Sequence, residues 1–256
     1  MDSKKKFRIK KKYGQHFLTN ENIANKIVQY LDFENHQQIL EIGPGTGVLS
    51  KYLIQHCKPI LIEIDEEAIQ HLKTNIPELE QIILGDFLKL DLNPYLKKTN
   101  AIIGNFPYNI STQILFKILE HKDSIQTVIG MFQKEVAERI CSKPNNKKYG
   151  IISVLIQTYY NCKIMIHVKK GNFNPPPNVE SSVIELRRNS IKTLNCNEKK
   201  FISIVKMSFN QRRKKLKNSL KNLCLDYNNS TKDIMEKRPE QLSVNDFILL
   251  TNNIIT

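Results

Sequence analysis

The chain has no tryptophan, and its five cysteines are scattered along 256 residues. None forms a CxxC pair or stands near a histidine at metal-ligand spacing, so we expect no bound metal and thiols that stay reduced. No apolar run reaches the length of a signal-peptide core or of a membrane span. These absences argue against a disulfide-stabilised secreted domain and an integral membrane protein. They favour a cytoplasmic protein with no membrane partner.

Negative charge is also scarce. Asp and Glu number 25 against 39 Lys and Arg, which gives a net charge of +14 and a pI near 9.5. This excess suits a polyanionic partner, because each neutralised phosphate releases condensed counterions. An AT-rich genome would produce the same richness in Lys, Asn and Ile without any selection for binding. The distribution of the charge therefore matters more than its sum.

Short apolar segments alternate with amphipathic helical patterns through the first half of the chain. The predicted strands span residues 39–42, 59–64, 82–84, 101–104 and 127–132, and the predicted helices span 22–31, 48–56, 66–75 and 111–121. This βαβ order predicts a doubly wound α/β fold with a parallel sheet covered on both faces. Right-handed crossovers place the loops that follow the strands at one edge, where ligands bind.

The second half of the chain has a different pattern. A helix at 151–160 precedes strands at 163–168 and 182–186, which would extend the sheet with antiparallel strands. Residues 187–197 are polar, and the pattern beyond them is helical, with one long helix predicted over 201–223. We therefore predict a flexible basic arm at 1–12, an α/β domain at 13–190 and a small all-helical domain at 191–256.

Three features follow three successive strands. The turn Glu41–Gly47, which contains Gly43 and Gly45, lets the backbone pass close to a ligand. Glu63 ends the second strand, where a carboxylate can meet ribose hydroxyls, and Asp86 follows the third, where it can accept from an adenine amine. Each feature alone could be a turn or a helix cap. Together they resemble the class I S-adenosylmethionine methyltransferases, which implies a Rossmann-like domain that binds this methyl donor.

The segment Asn105-Phe106-Pro107-Tyr108 follows the fourth strand at the same edge. An adenine amine is a poor nucleophile because its lone pair is delocalised, and acceptors that hold its N–H groups favour a pyramidal nitrogen. The side-chain oxygen of Asn105 and the carbonyl of Phe106 can supply them. Pro107 would fix the backbone, and Tyr108 would stack on the base. The alternative is a simple turn, but the position after three cofactor features favours methylation of an adenine amine.

A base held in a duplex or hairpin must be flipped out of its stack to reach such a pocket. A second aromatic ring is then expected on its other face. Phe173, in the proline-rich segment 171–177, is the candidate. Core packing is an equally good account of this residue on its own.

Several segments together resemble the small-subunit ribosomal RNA adenine dimethyltransferase family. They are Gly14–Leu18, Glu41–Gly45, Asn105–Ser111, Gln133–Ala137, Phe173–Pro177 and Phe209–Lys214. The resemblance implies dimethylation of two adjacent adenosines in the hairpin loop near the 3′ end of small-subunit rRNA, within a pre-ribosomal particle and with a role in ribosome biogenesis. We expect the enzyme to be a monomer.

The same resemblance assigns cofactor contacts that spacing alone does not reveal. It implies that His16 and Leu18 join Gly43, Glu63, Asp86 and Asn105 around S-adenosylmethionine. Two positions depart from the family pattern. His16 stands where some members have asparagine, and Phe106 stands where many have leucine. Packing or a ring nitrogen can serve in either place, so we expect activity to be retained.

A cluster of cations lies within the predicted helix 201–223. Arg212, Arg213, Lys214 and Lys215 repel one another unless an anion compensates, so we predict that they contact RNA phosphates. A solvated basic face is the alternative. Two further basic segments, 4–12 and 143–148, could add to this surface or be mobile loops.

Three other functions remain open. A related family methylates a large-subunit rRNA adenosine and confers macrolide resistance, but the segment Phe209–Lys214 favours the small-subunit branch. A DNA adenine methyltransferase would need a target-recognition domain, which this chain lacks. The third is an RNA- or DNA-binding protein without turnover, since mitochondrial relatives act as transcription factors. Such a protein would not need Glu63, Asp86 and Asn105 intact.

Overall fold

A computed structural model describes residues 14–98, 100–221, 223 and 229–254. The predicted basic arm at 1–12 lies outside these residues. The chain divides into two compact units: the first runs to Ala137 and resumes over Lys163–Arg188, and the second comprises Glu138–Cys162 and the residues from Asn189 onward. Within the described ranges, no helix has the length and apolarity needed to cross a membrane.

The first unit is built on a seven-stranded sheet in the order β4-β3-β2-β5-β6-β9-β7. The strands are β2 (Gln38–Ile42), β3 (Ile60–Glu63), β4 (Gln81–Leu84), β5 (Asn100–Asn105), β6 (Ile125–Gln133), β7 (Tyr160–Val168, which starts in the second unit) and β9 (Ser181–Arg188). Strands β4 to β6 in this order pair in parallel, and β9 pairs with β6 in the antiparallel sense. The predicted doubly wound sheet with added strands at one side is confirmed.

Helices precede, connect and follow the parallel strands. They are α1 (Glu21–Val28), α2 (Ser50–Leu53), α3 (Glu66–Asn75), α4 (Ser111–Glu120) and α5 (Lys134–Ile140). The predicted helix at 66–75 is confirmed, the one at 48–56 is reduced to α2 with flanking turns, and α5 was not predicted. Helix α3 begins at Asp65 because the carboxylate of this residue accepts from the N–H of Glu67. Strand residues such as Leu40 and Ile103 are fully buried, which explains their unbroken apolar runs.

A second, two-stranded sheet was not predicted. Strand β1 (Phe17–Leu18) pairs antiparallel with β8 (Phe173–Asn174), and Leu18 lies opposite Phe173. The N–H of Thr19 extends the ladder by donating to the carbonyl of Asn172 at 2.8 Å. This pairing joins the beginning of the first unit to the proline-rich segment that precedes β9.

The second unit is helical. Its helices are α6 (Ile151–Tyr159), α7 (Glu198–Asn210), α8 (Leu216–Ser219), α9 (Asn229–Met235) and α10 (Val244–Asn252). Residues 138–162 belong to this unit, whereas the expected domain boundaries assigned them to the α/β domain. The difference has a packing reason: α6 is buried on almost every side and packs against α7 and α10. A helix buried all round needs partners on more than one face.

The single helix predicted over 201–223 is wrong. Helix α7 ends at Asn210, because Gln211 leaves the helical region with φ −118° and ψ 51°. A turn follows, in which the N–H of Lys214 donates to the carbonyl of Gln211, and α8 begins after an extended Lys215. The four consecutive cations 212–215 therefore form the connection between two helices. The apolar period continued across this break because Leu216 and Leu220 are buried on α8 and just beyond it.

Candidate active site

A cavity of about 260 Å³ opens at the edge of the sheet where the parallel strands end. Its walls are the loops after β2, β3, β4 and β5, together with the segment that precedes and begins β1. The residues from the sequence prediction that line it are His16, Gly43, Gly45, Glu63, Asp86, Asn105, Phe106, Pro107 and Tyr108. The structure thus brings together side chains and turns that are dispersed over more than ninety positions of the sequence.

The glycine turn forms the floor of this cavity. Gly43 and Gly45 have positive φ angles of 64° and 56°, a conformation that side chains disfavour. A Cβ added to Gly43 would meet nothing within 4 Å, so this glycine faces open space. A Cβ on Gly45 would lie 2.4 Å from the ring of Phe17. The turn therefore leaves one side open for a ligand and lets Phe17 pack closely against the other.

Glu63 is 4% exposed and is held by three backbone N–H donors. Its Oε2 accepts from Gly45 at 3.0 Å, and its Oε1 accepts from Ile64 at 2.9 Å and Asp65 at 3.0 Å. Burial raises the pKa of this carboxyl, and the three donors oppose the shift. A carboxylate offers about four acceptor sites. Because Oε2 has one protein donor and the residue lines the cavity, this oxygen fits a ribose hydroxyl.

Asp86 combines a turn role with an open acceptor. Its Oδ1 accepts from the N–H of Leu88 at 3.0 Å, and its Oδ2 lies 3.9 Å from Nζ of Lys89. The side chain is 29% exposed and lines the cavity. The turn reading and the ligand reading are thus compatible, since Oδ2 can still accept from an adenine amine. In the described part of the chain no cluster of acidic, His or Cys side chains could hold a metal ion.

Asn105 lies at the end of β5, and a hydrogen bond to the residue before β1 orients its side-chain amide. Its Nδ2 donates to the carbonyl oxygen of His16 at 2.7 Å. Because the amide nitrogen is bound there, the side-chain oxygen is free to face another partner.

The ring of Phe106 is buried and packs edge-on against the ring of Phe132, with 5.1 Å between the ring centroids. Gly104 makes room for this ring, since a Cβ there would lie 2.7 Å from it.

Tyr108 is half-buried at the cavity wall. Its ring stacks on the imidazole of His16, with centroids 5.6 Å apart and planes 28° apart. Its hydroxyl forms a hydrogen bond with the hydroxyl of Ser181 on β9. Burial raises the pKa of the phenol, so the group stays protonated at neutral pH. His16 is itself held by Pro175, whose carbonyl oxygen lies 2.8 Å from Nδ1. The Tyr108 ring is therefore fixed at one edge and on one face.

Two predicted residues are placed away from the cavity. Phe173 is 4% exposed and packs in the apolar core with Leu18, Ile27 and Val183. Leu18 belongs to the same core and is 2% exposed. Neither side chain is part of the cavity lining. Of the two predicted stacking rings, Tyr108 therefore lines the cavity and Phe173 does not.

Sequence reasoning missed Gln15 and Ser181. Gln15 lines the cavity, and its amide nitrogen lies 3.3 Å from Oδ2 of Asp65. Ser181 holds the Tyr108 hydroxyl although the two residues are 73 positions apart. Only the closeness of Ser181 to the proline-rich segment signals a role. The contact itself depends on which strands become neighbours, and no local pattern records that.

The four cations at 212–215 have different surroundings. Arg212 reaches the carbonyl oxygens of Asn146 and Lys147, and its Nε lies 3.7 Å from Glu240. Lys215 pairs with Glu236 at 2.7 Å. Both residues are thus engaged within the second unit.

The two cations between them are more exposed. Arg213 and Lys214 are exposed, and among the described residues neither forms an ion pair with an acidic side chain. The surface available to an anion is therefore narrower than the predicted cluster of four.

The chain is similar to known proteins over nearly its whole length. A model of the family described as ribosomal RNA adenine dimethylase matches residues 6–255. The ribosomal RNA small subunit methyltransferase A of Flavobacterium johnsoniae is 50% identical over 254 residues, which is 97% of each chain. The protein of the same name from Cytophaga hutchinsonii is 48% identical and covers 96% of this chain and 97% of its own.

Solved structures resemble the fold over most of its length. A dimethyladenosine transferase from Plasmodium falciparum has a TM-score of 0.79 at 26% identity, covering 92% of this chain and 96% of that one. The 23S rRNA methyltransferase ErmE has a TM-score of 0.69 at 22% identity, covering 92% and 99%. The likeness to ErmE is one of fold alone.

Proposed function

This chain belongs to the ribosomal RNA adenine dimethylase family and is an S-adenosylmethionine-dependent methyltransferase of small-subunit rRNA adenines. From this premise we propose that Asn105 holds the amine that is methylated. The observation that carries the proposal is the hydrogen bond from Nδ2 of Asn105 to the carbonyl of His16. That bond fixes the amide so that its oxygen is the atom left to accept from an adenine N–H. The targets proposed are two adjacent adenosines in the 3′-terminal hairpin loop.

S-adenosylmethionine supplies a methyl group that its positive sulfur makes electrophilic. The open side of Gly43 and the oxygens of Glu63 and Asp86 would hold it along the ends of β2, β3 and β4. The side-chain oxygen of Asn105 and the carbonyl of Phe106 would accept from the two N–H groups of the target amine. Alignment of neutral groups is enough here, because no strong base is needed before attack.

The Tyr108 ring is the proposed stacking surface for the target base. It lies at the cavity wall and is fixed by His16 and Ser181 before any base arrives. A preordered ring loses little conformational freedom on binding. Phe173 could supply the second ring only after leaving the core, since it is 4% exposed where it packs with Leu18. We propose that Tyr108 carries most of the stacking.

Arg213 and Lys214 are the proposed phosphate contacts of the second unit. Their exposure and the engagement of Arg212 and Lys215 elsewhere support this narrower assignment. Phosphate contacts position an RNA without reading its sequence. We propose that the enzyme acts as a monomer in the cytoplasm, on rRNA within a pre-ribosomal particle.

The test replaces Asn105 with alanine and measures methylation of small-subunit particles isolated from cells that lack this enzyme. We expect a loss of about 100- to 1000-fold in methyl transfer, the cost of removing one preorganised transition-state partner. RNA affinity should be unchanged. Asn161→Ala, at an exposed position of β7, is the control. Mass spectrometry of the rRNA identifies the adenosines. Persistent dimethylation in Asn105→Ala would overturn the mechanism.

A further inference from the structure

Lys117 lies on α4, the helix that follows the catalytic segment, six residues beyond its first residue, Ser111. Its ammonium donates to two backbone carbonyls of the loop after β4: to Leu88 at 3.0 Å and to Leu90 at 2.5 Å. The same nitrogen lies 5.7 Å from the ring centroid of Phe87. These three contacts are to residues that directly follow Asp86.

The contacted loop is a wall of the cofactor cavity. Gly85, Asp86, Phe87 and Leu88 all line it. The loop is short and is bent back on itself, since the N–H groups of Lys89 and Leu90 both donate to the carbonyl of Asp86. The backbone carbonyls of Leu88 and Leu90 lie in this turn, outside any strand or helix. Lys117 satisfies both of them with one charged donor, and charged donors form the stronger hydrogen bonds.

Helix α4 is also attached to the reaction centre. Ile110, at its N-terminal boundary, donates its N–H to the carbonyl of Pro107 at 3.1 Å. The hydroxyl of Ser111 donates to the carbonyl of Tyr108 at 3.3 Å. One rigid helix thus holds the segment Asn105–Tyr108 at its start and the Asp86 loop near its end.

We propose that Lys117 is a positioning residue for the methyl donor: it sets the adenine-binding loop at Asp86 relative to the catalytic segment Asn105–Tyr108. The proposal rests on the proposed function, because it takes the Asp86 loop as the adenine end of the cofactor site. Lys117 itself does not line the cavity. Its effect should therefore appear in binding of the adenosine part of the cofactor and only weakly in the methyl-transfer step.

The experiment compares Lys117→Met with the full-length wild type. The probes are S-adenosylhomocysteine and methylthioadenosine, which keeps the adenosine but lacks the amino-acid tail, and both affinities are measured by calorimetry. We expect both to weaken by the same factor, about tenfold, as for loss of a charged hydrogen-bond donor. The KM for S-adenosylmethionine should rise by a similar factor with kcat nearly unchanged. Lys117→Arg, which retains charge and donors, should recover most of the affinity.

Lys51→Met is the matched control. Lys51 also lies on a helix, pairs with Glu21 at 2.5 Å and lies 5.3 Å from the Tyr52 ring centroid, but it is not part of the cavity. It should leave both affinities unchanged. Wild-type affinities in Lys117→Met, even with a lower melting temperature, would show a merely structural role and overturn the proposal. So would a loss confined to S-adenosylhomocysteine.

Two further variants keep the outcomes distinct. If Lys117→Met does not fold, Lys117→Gln is measured against the same two outcomes. Asp86→Ala separates this proposal from the assignment of the loop. If Asp86→Ala weakens both probes and the Lys117 variants do not, only the positioning role falls. If Asp86→Ala binds both probes normally, the assignment of the adenine end is wrong.

Discussion

The proposed cofactor end of the cavity (Gly43–Gly47, Glu63 and Asp86) and its proposed base end (His16, Asn105–Tyr108 and Ser181) are built in different ways. At the cofactor end, the partners are backbone groups of neighbouring loops, as in the bond from Gly45 to Glu63 across 18 positions. At the base end, Asn105 reaches His16 across 89 positions. The cofactor end thus follows from adjacent βα loops. The base end exists only when distant segments have come together.

The largest expected effect on cofactor affinity is at the cofactor end. Glu63→Gln replaces an oxygen that accepts backbone N–H bonds with an NH₂ group and removes the charge, so we expect S-adenosylhomocysteine to bind about 100-fold more weakly, as for one or two bonds to a charged acceptor. Calorimetry measures this affinity for S-adenosylhomocysteine. RNA affinity should stay at the wild-type value. Glu80→Gln, at a surface residue paired with Lys58, is the control. An affinity within about twofold of wild type would contradict the ribose assignment.

Glu41 provides a pH test of the same end. It is fully buried, accepts from the hydroxyl of Ser50 at 2.6 Å, and burial raises its pKa from 4.5 to about 8. Between these values the folded state holds a proton that the unfolded state has lost. The free energy of unfolding should therefore fall as pH rises through this window, by up to about 1.4 kcal/mol per pH unit.

Glu41→Gln should remove this contribution, which urea unfolding at a series of pH values can measure. Equal slopes for the variant and the wild type would show that the Glu41 carboxyl is ionised in the folded protein. Urea unfolding does not require enzyme activity. It therefore reports the stability of the cofactor end independently of cofactor binding.

Tyr108 tests the base end. Tyr108→Phe keeps the ring and loses the bond to Ser181, so we expect kcat/KM to fall by only about threefold to tenfold. Tyr108→Ala also removes the stacking surface and should cost a further tenfold or more, since stacking on a base is worth about 1–3 kcal/mol. S-adenosylhomocysteine affinity should change little in either variant. Equal activity of the two variants would mean that the ring does not stack on the base.

The smallest effect is expected on the second unit. Arg213→Ala should weaken RNA binding a few-fold and reduce the dependence of affinity on salt by about one counterion. Arg212→Ala should mainly destabilise the unit, because its guanidinium holds the loop at 146–147 and pairs with Glu240. Filter binding over a range of salt concentrations and thermal unfolding distinguish the two. The reverse assignment would follow if only Arg212→Ala changed the salt slope.

The predictable parts of this protein are those in which neighbours in sequence are neighbours in space. The strand at 39–42, the helix at 66–75 and the turn Glu41–Gly47 each depend on local periodicity or glycine chemistry, and the structure has them close to where they were predicted. The approach of Glu63 to Gly45 follows from parallel strand order. These features sufficed to indicate the cofactor class.

The features that could not be predicted depend on tertiary contacts. The pairing of β1 with β8 joins two-residue strands too short for any periodic signal. From the sequence Phe173 suited a core and a base site equally, and its place in the core depends on packing with residues from distant segments such as Leu18 and Val183. The break after Asn210 was hidden because the apolar period resumes in α8.

The short ladder between β1 and β8 also sets an order of events during synthesis. Gly14–Phe17 form a wall of the cavity, and the strand that begins at Phe17 pairs with Phe173–Asn174. While the ribosome is still translating the sheet, this wall has nothing to pair with. The newly made enzyme can complete its methyl-donor site only after about two-thirds of the chain has emerged, because a contact between distant segments must wait for the later one. The complete cavity is therefore available to a methyl donor only late in the synthesis of this enzyme, which acts on ribosomal RNA.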